Sequence, residues 1–268
     1  MIRAIVCGAA GRMGGRIVAL LQEAHDFALA GAVERPGHPG IGKDAGEAAG
    51  VGKCGIDLVG DLRAVVKEGQ VVLDFTNPES AIAALAITAD ARVPMVIGTT
   101  GISAAGLDRI RELSTTIPCV LSPNMSVGVN ILYKVLADVA STLGDDYDVE
   151  IFETHHRFKK DAPSGTALRM AQVIASALGR NLDKAGIYGR KGMVGERVKE
   201  EIAIHALRAG DVVGEHTVVF GGMGERVEIT HRAHSRDNFG RGALRAARWV
   251  IGRPPGLYDM QDVLGVKG

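Results

Sequence analysis

IRAIVCGAAGRMGGRIVALLQEA, residues 2–24, passes from an almost unbroken apolar run through a glycine-rich turn into a segment with helical spacing. Residues 2–7 read as a buried strand, residues 8–15 as the turn and residues 16–24 as a helix. A helix that starts straight after such a turn leaves its first backbone N–H groups without intrahelical acceptors, and its dipole adds positive potential there. The three parts together form a place for a phosphate. Spaced as GxGxxG, the pattern fails at Ala10 and Met13; spaced as GxxGxxG, it is met by Gly8, Gly11 and Gly14. The next apolar run, residues 28–33, ends in Glu34 and Arg35. That is about 20 residues on, where a dinucleotide-binding fold reads the ribose. Glu34 can accept from the 2′ and 3′ hydroxyls of NADH, whereas Arg35 can pair a 2′-phosphate. The competing reading is a plain α/β turn followed by a surface Glu-Arg pair.

Outward from this stretch, short apolar runs at residues 71–75, 95–97 and 119–121 alternate with helical segments. Continuous apolar strands separated by helices indicate a parallel sheet covered on both faces. The glycine-rich residues 36–55 interrupt it and read as a flexible excursion. After residue 126 the pattern changes to a long helical segment, an alternating strand at 148–154, and β-rich runs at 202–207, 214–221 and 226–231. These predict a second, α+β domain with a mostly antiparallel sheet. A helical pattern returns at 239–250. The expected division is a Rossmann-type α/β nucleotide domain at 1–126, with 238–268 packing back on it, and a second domain at 127–237.

Composition narrows the function. The 268 residues are 46% apolar, enough for real cores, and Lys plus Arg equals Asp plus Glu at 31 each. There is no global basic field for nucleic acid and no polybasic tail for a membrane, so an anionic ligand must be caught locally. Cys7, Cys54 and Cys119 are widely spaced and form no CxxC pair, which argues against a disulfide framework or a zinc site. Cys7 and Cys119 lie in apolar runs and read as core. The first apolar run is too short for a secretory leader, and no run approaches the ~18 apolar residues of a membrane span. A cytoplasmic setting is expected.

Two further loops fall after predicted strands of the first domain, where ligands bind in open α/β sheets. Gly98-Thr99-Thr100 and Ser122-Pro123-Asn124-Met125 offer close backbone approach and hydroxyls, as a nicotinamide ribose and carboxamide require. In the second domain, ETHHRFKKDAPSGTAL, residues 153–168, holds two histidines, an arginine and two lysines between a strand and a helix. A solvated charge run is the bland reading. Neighbours on a strand point to opposite faces, so His155 and His156 are expected to have separate roles. Nearby lysines would repel a cation, and no second histidine stands at metalloprotease spacing, so no metal is expected. Ser164 can cap the helix, and the N–H groups of Gly165 and Thr166 suit a carboxylate. Lys159 adds a cationic donor, and a histidine adds a group that trades a proton near neutral pH. The combination is an anion cradle with a proton donor.

The motifs GAAGRMG, GTTG, SPNMSVGVN, ETHHRFKKDAPSGTAL and SRDNFGRGALRAARW, in this order over nearly the whole chain, resemble the dihydrodipicolinate reductase family. The resemblance implies reduction of 4-hydroxy-tetrahydrodipicolinate to tetrahydrodipicolinate, in lysine and diaminopimelate synthesis, with NADH or NADPH as donor. It also implies a cyclic dicarboxylate substrate and a homotetramer built by the second domain's sheet. Carried over by position, His155 and Lys159 take acid/base roles, and His156, Gly165 and Thr166 bind substrate. The cofactor positions are Gly8, Ala9, Ala10, Gly11, Arg12, Met13, Glu34, Arg35, Gly98, Thr99, Thr100, Ser122, Pro123, Asn124 and Met125. Ala10 stands where many members have glycine, and Met125 where an aromatic is common. A short-chain dehydrogenase would need YxxxK, but Lys134 follows Tyr133 at once and Lys191 comes one residue too early after Tyr188. A semialdehyde dehydrogenase would need a nucleophilic cysteine in a polar loop, and a nicotinamide sensor would need a DNA-reading module.

Overall fold

Seven strands of the computed structural model, which describes residues 1–267, form a parallel sheet in the first of two units. This unit comprises residues 1–127 and the described residues from 237 onward; the other comprises 128–236. In chain order the first unit runs β1 (Ile2–Cys7), α1 (Arg12–Glu23), β2 (Phe27–Val33), α2 (Ala45–Ala48), β3 (Leu58–Val59) and β4 (Val71–Asp74). It continues with α3 (Pro78–Ala91), β5 (Met95–Ile97), α4 (Ala104–Leu113) and β6 (Pro118–Leu121). The strand order β12-β6-β5-β4-β1-β2-β3, with β12 at Gly256–Tyr258, reverses direction between β1 and β4. That reversal puts a crevice at the carboxyl ends of β1 and β4. The strands read as solid apolar runs because both faces are covered: Ala4, Ile5, Val6, Val71, Val72 and Leu73 have no exposure.

The excursion at residues 36–55 is tied down rather than loose. Asp44, nearly fully buried, accepts from the N–H groups of Gly46, Glu47, Cys54 and Gly55. These bonds hold its pKa well below the usual carboxylate range.

The second unit contains α5 (Val127–Leu143), β7 (Asp148–His155), α6 (Gly165–Ala177), α7 (Leu182–Ala185), β8 (Gly186–Ile187), β9 (Ile202–Arg208), β10 (Gly214–Gly221) and β11 (Arg226–Ala233). Its sheet, ordered β11-β10-β7-β9-β8, is mixed rather than mostly antiparallel. β7 and β11 flank β10 antiparallel, whereas β9 lies parallel to β7 and β8. A parallel pair needs a long crossover, and α6 supplies it. Residues 127–146 are long and apolar enough to span a membrane by composition, against expectation. Val129, Tyr133, Leu136 and Ala140 of α5 instead pack into the core with Met170 and Ile174 of α6.

The chain then returns to the first unit through α8 (Asp237–Val250), β12 and α9 (Met260–Leu264). α8 lies against α1. Arg16 donates twice to Asp237 at 2.8 Å, and a Cβ at Gly240 would meet Leu20 Cδ1 at 2.4 Å. β12 adds an edge strand beside β6.

Candidate active site

The turn after β1 is shaped by atoms that are missing. Gly8 has φ +73°, and a Cβ on Gly14 would lie 1.9 Å from the Gly8 carbonyl oxygen, so α1 approaches the turn more closely than any side chain allows. Gly8 and Ala9 donate their N–H groups to Val33 O, and Ala10 N–H donates to Glu34 Oε1 at 2.9 Å. The start of α1 has no side-chain cap, whereas α3, α4 and α6 are capped by Asn77, Ser103 and Ser164. Its first N–H groups, at Arg12 and Met13, therefore have no intrahelical or capping acceptor. A cleft of about 520 Å3 opens here, lined by Gly8, Gly11, Glu34, Arg35, Asp74 and Thr76. A tight glycine cradle, a carboxylate anchored at the ribose position and an exposed Arg35 fit a nicotinamide dinucleotide.

The other cofactor candidates divide. Thr99 is buried and bridges two loops: its Oγ1 donates to Asp74 at 2.7 Å and accepts from Thr76 N–H at 3.0 Å. Asp74 is fully buried, and burial pushes its pKa up against those hydrogen bonds. Gly98 packs on the Phe75 ring, leaving no room for a Cβ. Thr100 and Pro123 are exposed, and Asn124 is half-buried. Ser122 is buried and donates to Asn124 O at 2.8 Å. Met125 differs from the expectation. Its side chain is a core group, 1% exposed and clustered with residues of α8. Its carbonyl oxygen is packed against Gly242 of α8, where a Cβ would lie 1.7 Å away.

In the second unit, the period of β7 puts Val149, Ile151, Glu153 and His155 on one face. His155 is the last residue of β7 and His156 lies just past the strand end, so strand alternation does not fix where His156 points. His155 Nδ1 lies 2.5 Å from Glu153 Oε2, and burial lowers the pKa of the ring, with Glu153 opposing and Lys159 and Arg208 reinforcing. The net shift favours the neutral imidazole. Lys159 Nζ donates to both oxygens of Asp161, at 2.9 and 2.8 Å. His156 Nδ1 is buried with no hydrogen-bond partner among the described residues. Ser164 caps α6 by accepting from Ala167 N–H at 3.1 Å. Thr166 follows Gly165 on the first turn, and a Cβ built on Gly165 meets nothing within 4 Å. The helix start is open.

Three participants, Glu153, Arg208 and His216, stand outside the expected site residues. Glu153 is completely buried, and Arg208 of β9 grips it with two nitrogens, at 2.9 and 3.0 Å. Ser164 N–H also donates to it at 3.0 Å. His216 of β10 shares a 2.9 Å hydrogen bond with Ser164 Oγ, and its ring lies edge-on to His155 at 5.2 Å. Burial, with His155 nearby, pushes the His216 pKa down to about 3. Strand parity signals the first of these, since Glu153 follows Val149 and Ile151 on the inward face. Among the described residues, no three His, Cys, Asp or Glu side chains converge as a metal site.

Doubly covered parallel strands and an open glycine turn beside Glu34 in one unit, and a cluster of cations and histidines at a helix start in the other, are the features of a nicotinamide-dependent oxidoreductase. Family models described as dihydrodipicolinate reductase, N-terminus and C-terminus, match residues 2–125 and 128–264. The chain belongs to the dihydrodipicolinate reductase family. It is 60% identical to the 4-hydroxy-tetrahydrodipicolinate reductase of Syntrophus aciditrophicus and 55% identical to that of Citrifermentans bemidjiense, each over 100% of both chains. It is an NADH- or NADPH-dependent reductase of 4-hydroxy-tetrahydrodipicolinate. The fold is also that of the dipicolinate-bound dihydrodipicolinate reductase from Paenisporosarcina sp. TG-14, at TM-score 0.76, 24% identity and 98% coverage of both chains.

Proposed function

We propose that the second unit binds the cyclic dicarboxylate, with His155 and Lys159 handling charge and protons and with His156, Gly165 and Thr166 holding a carboxylate. One observation carries this reading: Glu153 joins the His155 ring to Ser164 N–H, so the proton-trading group and the open start of α6 form one built unit. NADH or NADPH, when bound, supplies the hydride; the turn Gly8, Ala9, Ala10 and Gly11 gives its phosphates close approach, the N–H groups of Arg12 and Met13 would hold them, and Glu34 would hold its ribose. Loss of water from 4-hydroxy-tetrahydrodipicolinate leaves a conjugated cyclic imine; the hydride then adds to it at one ring carbon, C4, while negative charge builds toward the ring nitrogen and the neighbouring carbon takes a proton. Lys159 faces that charge as cation and proton donor, after exchanging Asp161 for the substrate. Neutral His155 keeps a lone pair at Nε2 to hold the substrate and pass a proton.

Two wider features belong to the same reading. The outward face of the second sheet exposes Phe152 and Leu207, apolar surface suited to assembling the tetramer that the family resemblance implies. The enzyme works in the cytoplasm. The test is nicotinamide oxidation followed by absorbance with freshly generated substrate, using each cofactor in turn. Substrate-dependent oxidation, lost in Lys159→Ala with cofactor affinity kept, is the expected result; equal turnover by Lys159→Ala overturns the assignment.

A further inference from the structure

A fully buried carboxylate is an odd occupant for the inner face of a strand. Val149 and Ile151 fill the preceding inward positions of β7 with aliphatic side chains, and another would serve packing at position 153. A buried ion pair rarely stabilises a fold more than well-packed apolar residues do. Glu153 nevertheless stands there with all its acceptor capacity used. Oε2 accepts from His155 Nδ1 and from Arg208 Nη1, and Oε1 accepts from Arg208 Nη2 and from Ser164 N–H. Each donor comes from a different part of the site: His155 from the same strand, Arg208 from β9 directly opposite His155, and Ser164 from the start of α6.

We propose that Glu153 is a positioning residue for the reduction, fixing His155 with its proton on Nδ1 so that Nε2 is the atom presented to the substrate, and locking that ring to the start of α6. The inference rests on the role given above to His155. An ionised carboxylate only accepts, so the nitrogen facing it must donate. The neutral ring then has its lone pair at Nε2 and nowhere else. Position 214 adds no side chain over that nitrogen: a Cβ at Gly214 would sit 3.0 Å from it. Burial would raise the carboxyl pKa, but Arg208 and His155 outweigh it and hold Glu153 ionised. When Nε2 takes a proton, the same anion supports the imidazolium against its other charged neighbours. Those are Lys159 from the loop, Arg208 from β9 and, were it ever protonated, His216 from β10.

Glu153→Gln separates this role from packing, because it keeps the shape and one acceptor. Ser164 N–H is fixed backbone and needs that acceptor, so the amide oxygen takes the Oε1 place and the NH2 faces His155. The nitrogen opposite must now accept, which moves the imidazole proton to Nε2. In 15N-histidine-labelled protein, the resonances of His155 should report Nδ1–H in the wild type and Nε2–H in Glu153→Gln. Kinetically, kcat should fall about 10- to 100-fold with KM within about threefold. The limb of the pH profile that belongs to His155 should move to lower pH, since the anion that favours its protonated form is gone. A wild-type ring protonated at Nε2, which needs no variant to observe, overturns the proposal. So does a folded Glu153→Gln enzyme with wild-type kcat and pH profile. If the wild type itself fails to oxidise NADH or NADPH with the substrate, the functional reading falls while the tautomer measurement still decides the positioning.

Discussion

The turn after β1 and the loop after β7 both lead from a strand into a helix, and they are built in opposite ways. The first is made by backbone. Its shape depends on absent Cβ atoms, above all at Gly14, and one side-chain carboxylate, Glu34, is tied to it through Ala10 N–H. The second is made by side chains. Its helix start has space to spare at Gly165, while a buried carboxylate gathers four hydrogen bonds from three directions. The first region should therefore resist added atoms and tolerate altered charge, and the second should do the reverse.

The largest effects should come from deleting charge and proton chemistry in the second region. His155→Ala and Lys159→Ala should each lower kcat by ~10²–10³-fold with cofactor Kd near wild type. Steady-state kinetics with a fluorescence titration of cofactor check this, and a loss confined to KM would reduce these residues to binding groups. Next comes Arg35, an exposed cation of the first region. Arg35→Ala should weaken NADPH by ~1.5–3 kcal/mol while sparing NADH, because only the phosphate pairs with it. Equal losses with both would mean that Arg35 faces elsewhere.

Gly14→Ala tests the claim about missing atoms. The new Cβ meets the backbone of Gly8 and Ala9, with Gly8 O at 1.9 Å, so the unfolding free energy should drop by ~1–3 kcal/mol and cofactor affinity should fall with it. A wild-type denaturation midpoint would break the contrast. A pH experiment probes the buried side chains. The folded-state pKa of His216 is about 3, below the ordinary value of 6.5, so on acidification the unfolded chain takes up the proton first. Stability due to this residue is complete above pH 6.5 and is lost as pH falls toward 3. Between pH 6.5 and 5 the wild type should lose roughly 1–2 kcal/mol more than His216→Asn in denaturant titrations. Parallel losses would show that the ring can be protonated in place. The smallest effect is expected at Gly165, where the space is open: Gly165→Ala should change stability by less than ~0.5 kcal/mol. Any rise it causes in KM would then report directly on substrate contact at the helix start.

Much of the first unit was legible because strands buried on both faces appear as solid apolar runs, as residues 2–7 and 95–97 do. β3 and β12 were not, since two or three residues carry no periodicity. The flexible reading of residues 36–55 missed Asp44, whose bonds reach as far as Gly55 and leave no trace in composition. In the second unit the β10–β11 pairing is local and shows in the sequence, whereas β9 meets β7 only through the α6 crossover. The cluster at 153–168 announces its cations but not what organises them. Alternation places Glu153 inward, yet Arg208 lies 55 residues away, and no local rule pairs them.

The return of α8 to the first unit sets an order of events during synthesis. Residues 1–127 emerge from the ribosome with Ile17, Leu20 and the backbone of Met125 still waiting for the helix that covers them. That helix begins at Asp237, after the whole second unit has been made. At roughly 5–20 residues per second, the nucleotide-binding unit spends on the order of 5–20 s as an unfinished body with an apolar flank open to chaperones. The second unit, continuous in sequence, has no such wait, so the half of the enzyme that begins first is the half that finishes last.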